Sequence, residues 1–350
     1  MQDQFFQKLK DGNVLCFGEL LLRLCPDVES QWLQKNQLPF YVGGAEANVA
    51  SALALWQVPT SYLSRVPDNL IGRQLTKHLA DKELNVSKML SGGERLGLYF
   101  LPKGTDLKHA EVIYDRAHSS FSELKPGMID WDKTLEDVSW LHFSAITPAL
   151  NQQLADVCIE AASMAAQKGL VVSLDLNYRA KLWQYGKNPT DVMQQIAPYC
   201  DVLMGNIWAA EQLLACQINS EKLNCNTKED FIEQAQETSK EMVHRFPNVK
   251  LVANTFRFDQ SFGSLQYYAT LFDQTSFCVS AEYSVEKIID KVGSGDCFMA
   301  GLIYGVLKKF SLQQTLDFAT AAAVKKLEQT GDATTSTTAE IKKFIKIYER

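Results

Sequence analysis

The chain has 350 residues, 46% of them hydrophobic, enough for one large α/β domain or two ordinary ones around a sizeable core. Its formal charge of −6, with no basic run longer than two, argues against nucleic acid or an anionic membrane as the main partner. Eight cysteines without a C-x-x-C, a polar N-terminus and no apolar run near the ~18 residues of a membrane span predict a soluble, reduced, cytoplasmic protein.

Taken in order, Val14 to Leu24 reads as one strand ending near Pro26, followed by an irregular stretch to Pro39-Phe-Tyr-Val42. Gly43-Gly44-Ala45-Glu46-Ala47-Asn48 then opens a small-residue helix, Val49 to Leu55, with Asn48 on its exposed first turn. The same glycines would also suit an ordinary packing turn. Arg95 to Leu101 and Glu111 to Arg116 look like a hairpin, joined through Lys103-Gly-Thr-Asp106, that carries Tyr99, Tyr114 and Arg116. It reads as a surface flap, or as a plain edge hairpin.

From Trp140 the period changes. Short buried strands at Trp140–Ser144, Leu170–Leu174, Val202–Met204 and Lys250–Ala253 alternate with helices at Gln152–Gln167, Val192–Ile196 and Phe231–Val243. That alternation predicts a parallel sheet covered on both faces, with ligands beyond the carboxyl ends of its strands. The segments to watch are Asp175-Leu-Asn177-Tyr178-Arg179, Gly205-Asn206 and Asn254-Thr255-Phe-Arg257.

A β-like segment, Val285 to Asp290, runs into Gly293-Ser294-Gly295-Asp296, and Phe298, Leu302, Val306 and Phe310 recur four apart after it. Glycines followed by the free N–H groups of a helix start make an anion cradle. A carboxylate beside it, Asp296, is awkward electrostatically unless it takes a proton from an attacking hydroxyl. With an ordinary pKa near ~3.9 it is expected to be ionised at neutral pH without special tuning. Ala319 to Leu327 reads as a helix, Gly331-Asp332 as a turn, and Thr337-x-x-Glu340 as a capping box. No G-x-x-x-x-G-K-[ST] occurs, and Gly293-x-Gly295 lacks the third glycine of a dinucleotide fingerprint.

The early Gly43-Gly44-Ala45-Glu46-Ala47-Asn48 and the late Asp290 to Gly301, in this order and spacing, resemble the two signatures of the ribokinase-like (PfkB) sugar kinases over nearly the whole chain. The resemblance implies an α/β fold with a mainly parallel central sheet, helices on both faces and a small β-flap or lid. The chain is expected to be one domain, 1–350, with lid insertions at roughly 20–42 and 94–120. Gly18-Glu19, Arg23, Gly97-Leu-Tyr99, Tyr114-Asp115-Arg116 and Asp175-x-Asn177-Tyr178-Arg179 look most like the 2-keto-3-deoxygluconate kinases of that family.

By that resemblance, Asp296 is the catalytic base and Gly293, Ser294 and Gly295 form the anion hole. Gly43, Gly44, Asn48, Tyr99, Tyr114, Arg116, Arg179 and Asp332 surround the sugar, and Asn206, Thr255 and Arg257 lie on the nucleotide side. The two arginines would match a substrate carboxylate through their forked donors. The implied reaction is ATP-dependent phosphorylation of the terminal hydroxyl of 2-keto-3-deoxy-D-gluconate, with Mg²⁺ carried by the nucleotide. The expected assembly is a homo-oligomer through the lid. The rivals are a kinase of a neutral sugar such as fructose or ribose, and a catalytically silent sugar- or nucleotide-binding regulator.

Three positions depart from the family pattern. Ala209 stands where many members carry a glutamate, with Glu211 two residues on, so no protein ligand to the metal is assigned. Asn254-Thr-Phe-Arg257 replaces a glycine-containing segment on the adenine side. Lys291 enters the second signature.

Overall fold

The computed structural model describes residues 9, 12–27, 29–102, 112–223, 227–260 and 263–348. Glu111 and the Lys103–Asp106 connection of the expected hairpin lie outside them, as do most of the ten N-terminal residues.

Fifteen strands are described. They are β1 (Asn13–Phe17), β2 (Leu21–Leu24), β3 (Phe40–Gly43), β4 (Thr60–Leu63), β5 (Arg65–Val66), β6 (Leu90–Ser91), β7 (Gly97–Phe100), β8 (Ile113–Asp115), β9 (Val138–Ser144), β10 (Val171–Asp175), β11 (Val202–Gly205), β12 (Leu251–Asp259), β13 (Leu265–Phe272), β14 (Phe277–Val279) and β15 (Tyr283–Val285). The main sheet runs β14-β13-β12-β11-β10-β9-β1-β4, with β15 paired to β13. It is parallel from β4 to β12 and antiparallel from β12 to β15.

The parallel strands are buried on both sides, as their unbroken apolar runs require. In β9, Trp140 faces the layer that holds helices Ala45–Leu55, Ser294–Leu307 and Leu312–Leu327. Leu141 and Phe143 face the opposite layer, with Gln152–Gln167, Pro189–Ile196 and Ile207–Leu214. Each of those three helices starts on an asparagine. Asn151 accepts from Leu154 N–H, Asn188 from Thr190 N–H, and Asn206 from Ala209 N–H. The expected mainly parallel sheet with helices on both faces is therefore present.

A second sheet, β3-β2-β7-β8, packs at the carboxyl edge of the first. Its strands come from the two stretches expected to form the flap.

Several local expectations are corrected. Val14 to Leu24 is two strands in two sheets, because the chain leaves the main sheet at Gly18, whose carbonyl accepts from Tyr62 Oη at 3.0 Å. Burial is unbroken from Val14 through Leu21, so hydrophobic pattern alone cannot mark the break. The stretch after Pro26 contains a short helix, Gln31–Lys35. The Asn48 helix starts at Ala45 rather than Val49. Val285 is the last residue of its strand. Asp290 sits in a loop whose Ile289 and Asp290 N–H groups donate to Leu327 O. Helix Ser294–Leu307 stops before Phe310, where Lys309 turns to φ 55°. The capping box at Thr337 forms as expected, with Glu340 accepting from Thr337 N–H at 2.8 Å.

Candidate active site

The carboxyl ends of β1, β10 and β11 deliver Glu19, Asp175 and Asn206 to one edge of the sheet, where Thr255 from within β12 joins them, and the small sheet stands over it. Between them lies a cavity of about 550 Å³. Among the expected substrate residues, Gly44, Asn48, Tyr99, Tyr114, Arg116, Arg179 and Asp332 line it. So do Gly293, Ser294, Gly295 and Asp296 from the late motif, and Asn206, Thr255 and Arg257 from the expected nucleotide side. Gly43 does not. It is buried one residue back in β3, packed against the Asp332 carboxylate.

The glycines serve close approach. Gly293 has φ 82°, and a Cβ there would fall 1.8 Å from Asp332 O. Only a residue without a side chain lets the 290–295 loop pack on the 331–332 turn. Cys297 N–H is the first to bond back, onto Gly293 O at 2.9 Å. Helix geometry thereby leaves the N–H groups of Ser294, Gly295 and Asp296 without intrahelical partners at the cavity edge. Arg257 braces the loop from the other side, donating to Ser294 Oγ at 3.4 Å and Lys291 O at 3.5 Å.

Asp296 is buried and accepts from Asn48 Nδ2 at 2.7 Å. The two glycine motifs thus meet side chain to side chain. Its carboxyl is not ordinary. Burial pushes its pKa up to about 8, the Asn48 hydrogen bond works against that, Asp175 and Glu46 add to it, and Arg179 opposes it. The expectation of a normally ionised base is corrected here, because sequence alone shows neither the burial of this carboxyl nor the two acids that stand near it.

Those neighbours stand in the quoted motifs but were given no role from the sequence. Burial holds Glu46 at about 7, although it accepts from Ser144 N–H at 2.8 Å. Burial also raises Asp175 to about 6, with the Asn177 N–H and Arg179 pulling the other way. Both sit within the motif stretches, Glu46 two residues before Asn48 and Asp175 at a strand end, so position was the available signal. Trp208, Gln212 and Tyr267 also line the cavity without having been expected to.

The two arginines are not equivalent. Arg116 is buried and paired with Glu19, which also accepts from Ser119 Oγ. Arg179 is half-buried, donates to Tyr178 O at 3.0 Å, and makes no ion pair with a carboxylate among the described residues. Asp332 is engaged already. It pairs with Arg23 at 2.8 Å and accepts from Tyr99 Oη at 3.1 Å, and burial raises it to about 6. Arg23 also pairs with Asp290, which accepts from Val292 N–H at 3.2 Å and so fixes the entry to the glycine loop.

Among the described residues, no group of three or more His, Cys, Asp or Glu is placed to hold a metal ion, and no helix is long and apolar enough to cross a membrane.

The chain is similar to known proteins along nearly its whole length. The chain is 26% identical over 335 residues to a 2-dehydro-3-deoxygalactonokinase of Haloferax volcanii, covering 96% of this chain and 97% of that one. The crystal structure of a 2-dehydro-3-deoxygluconokinase from Thermotoga maritima superposes with a TM-score of 0.86 at 34% identity, over 96% of this chain and 99% of that one. That of a PfkB family carbohydrate kinase from Listeria grayi gives 0.83 at 32% identity, over 95% and 99%. Residues 11–339 match the model of the pfkB family carbohydrate kinases, with both glycine motifs inside the match. This chain is a member of that family, a carbohydrate kinase with a ribokinase-like fold.

Proposed function

We propose that this kinase transfers the γ-phosphoryl group of ATP to the terminal hydroxyl of 2-keto-3-deoxy-D-gluconate, a cytoplasmic step of acidic-sugar breakdown. The observation that carries the reading is Arg179, a cavity-lining guanidinium with no carboxylate in ion-pair range among the described residues, whereas Arg116 is already matched by Glu19. A neutral sugar offers that cation no direct ion-pair partner. A keto-acid carboxylate meets its forked donors. The names of the Haloferax volcanii and Thermotoga maritima relatives point the same way.

In this reading Gly44 and Asn48 hold sugar hydroxyls, and Tyr99, Tyr114 and Arg116 flank the acid. Asp332 acts through Tyr99, whose hydroxyl it orients. The substrate hydroxyl gives its proton to Asp296 as its oxygen bonds to the γ-phosphorus. The bond from that phosphorus to the bridging oxygen breaks, and ADP leaves. The N–H groups of Ser294 and Gly295 receive the charge on the moving phosphoryl group, and catalysis is mostly positioning. Asn206, Thr255 and Arg257 steady the nucleotide. The carboxylates at the cavity offer the oxygen chemistry that Mg²⁺ accepts, but no three of them converge among the described residues, so the ion would be held chiefly by the nucleotide phosphates and would offset their charge. A base whose pKa is about 8 accepts an alcohol proton better than an ordinary carboxylate, at the cost of partial protonation at neutral pH.

The outward face of the small sheet supports assembly through the lid. Phe40, Leu24, Phe100 and Ile113 lie in register as one apolar row across its four strands, with Phe40 59% and Ile113 55% exposed. A second copy of this chain packed there would cover the row.

ADP release measured over a panel of 2-keto-3-deoxygluconate, fructose and ribose tests the substrate. Turnover of a neutral sugar without turnover of the keto-deoxy acid would defeat the reading.

A further inference from the structure

Behind the glycine loop lies a group of charges with an odd member, of which only Asp332 reaches the cavity. Arg23, Asp290 and Lys326 are fully buried and Asp332 is 2% exposed. Arg23 alone bridges both carboxylates. Lys326 projects from the last turn of helix Leu312–Leu327, and its Nζ has no hydrogen-bond partner among the described residues. Its Cε lies 3.3 Å from where a Cβ on Gly293 would be, directly under the loop. An unsatisfied ammonium in a core is strongly destabilising, and an apolar side chain of the same volume would serve the packing better. Its presence here calls for a compensating effect.

The charge count supplies one. Arg23, Asp290 and Asp332 together carry −1 when both carboxylates are ionised. That charge would sit immediately behind the N–H groups that face a phosphoryl group, opposing them through a low-dielectric interior. Lys326 brings the sum to zero. We propose that Lys326 is a positioning residue for phosphoryl transfer: its buried ammonium offsets the carboxylate pair that anchors the glycine loop, so that the loop can take up negative charge. Burial pulls the Lys326 pKa down, while Asp290 and Asp332 pull it up, so the ammonium and the carboxylates depend on one another. Lys326 touches no substrate. It acts through Asp290, whose carboxylate accepts from Val292 N–H, and through the Asp332 backbone packed on Gly293.

The inference rests on the loop being the anion hole, and the experiment separates the two ideas. ADP release is followed for the parent, Lys326→Met and Lys326→Ala, each checked by circular dichroism and thermal unfolding. An inactive parent defeats the functional reading itself. With an active parent, Lys326→Met is expected to lose about ten-fold or more in kcat while the KM for the sugar acid changes less than about two-fold. In Lys326→Ala, added methylammonium is expected to recover part of the lost kcat, and tetramethylammonium, too large for the vacated space, is not. A Lys326→Met protein with parental kcat overturns the proposal. So does a folded Lys326→Ala that methylammonium fails to rescue. Loss of the fold in both variants also overturns it, because the ammonium would then serve the core rather than the loop.

Discussion

Asn48 donates from Nδ2 to Asp296 Oδ2 at 2.7 Å, joining the first turns of two helices across 248 positions of sequence. The bond orients the carboxylate and favours its charged form, in a place where burial and the acids Asp175 and Glu46 favour the neutral one. The unprotonated form is the base, so kcat/KM is expected to rise with pH through about 8. Asn48→Ala removes the hydrogen bond that lowers the pKa. The acid limb should move to higher pH by about one unit, with a loss at pH 7 of about ten-fold or more. A pH–rate profile whose limb stays in place would show that the contact does not tune the base.

Asp296→Asn should abolish proton removal and lower kcat by about 10²–10⁴-fold. Its effect on stability runs the other way. The pKa of Asp296 is raised from 3.8 to about 8 in the folded chain, so the folded state binds this proton more tightly than the unfolded one. Stability from this group is therefore complete below the unfolded pKa and is lost as pH rises through about 8. The Asn variant lacks that loss. Thermal unfolding at pH 6 and pH 9 should show the Tm difference moving in favour of the variant at the higher pH, and an unchanged difference would contradict the raised pKa.

The motifs were legible because backbone chemistry leaves a local mark. Gly44 and Gly293 stand where φ is positive, and a helix N-terminus follows each, so sequence spacing located the cradle and Asp296. The parallel strands β9 to β12 announced themselves as short apolar runs between helical periods, whereas β4 went unread. Pairings that depend on distant partners left no such mark. Glu19 met Arg116, Arg23 met Asp290 and Asp332, and Lys326 went under the loop. The antiparallel strands β13 and β14 went unread because no helix separates them, β15 was caught only at Val285, and the raised pKa of Asp296 depends on burial that no window of sequence contains.

Arg179 and Arg116 should separate cleanly by substitution. Arg179→Ala removes the cation proposed to meet the substrate carboxylate. The KM for the keto-deoxy acid is expected to rise about 10–100-fold, worth about 1.4–2.7 kcal/mol, with little change for any neutral sugar turned over. Arg116→Met instead leaves Glu19 buried without its cation. It should cost stability, about 3 kcal/mol or more, seen as a lowered Tm before any ligand is added. Equal effects of Arg179→Ala on acid and neutral sugars would remove the case for an acidic substrate.

Gly293 and Gly295 differ by geometry, although both belong to the anion hole proposed here. A methyl group on Gly293 would collide with Asp332 O at a positive φ, so Gly293→Ala should displace the loop or the turn and cost about 1–3 kcal/mol in thermal unfolding. At Gly295 the nearest atom to an added Cβ is Met204 Cε at 4.0 Å. Gly295→Ala should therefore keep the parental Tm while raising the KM for ATP, because the methyl group occupies the phosphate side of the cavity. If both variants melt alike and both turn over normally, the loop is not close to the phosphates.

The apolar row on the small sheet predicts an assembly that charge can break. Phe40 and Ile113 end the row on its two outer strands, and both are more than half exposed, so lysine at either position meets water in a monomer and costs the fold little. In a dimer packed on this face the same ammonium groups would be desolvated against apolar side chains. The Phe40→Lys, Ile113→Lys double variant is therefore expected to keep the parental Tm at low protein concentration and to run as a monomer by light scattering, where the parent runs as a dimer or larger. A parent that is already monomeric at micromolar concentration removes the lid-mediated assembly. A variant that remains oligomeric moves the interface to another face.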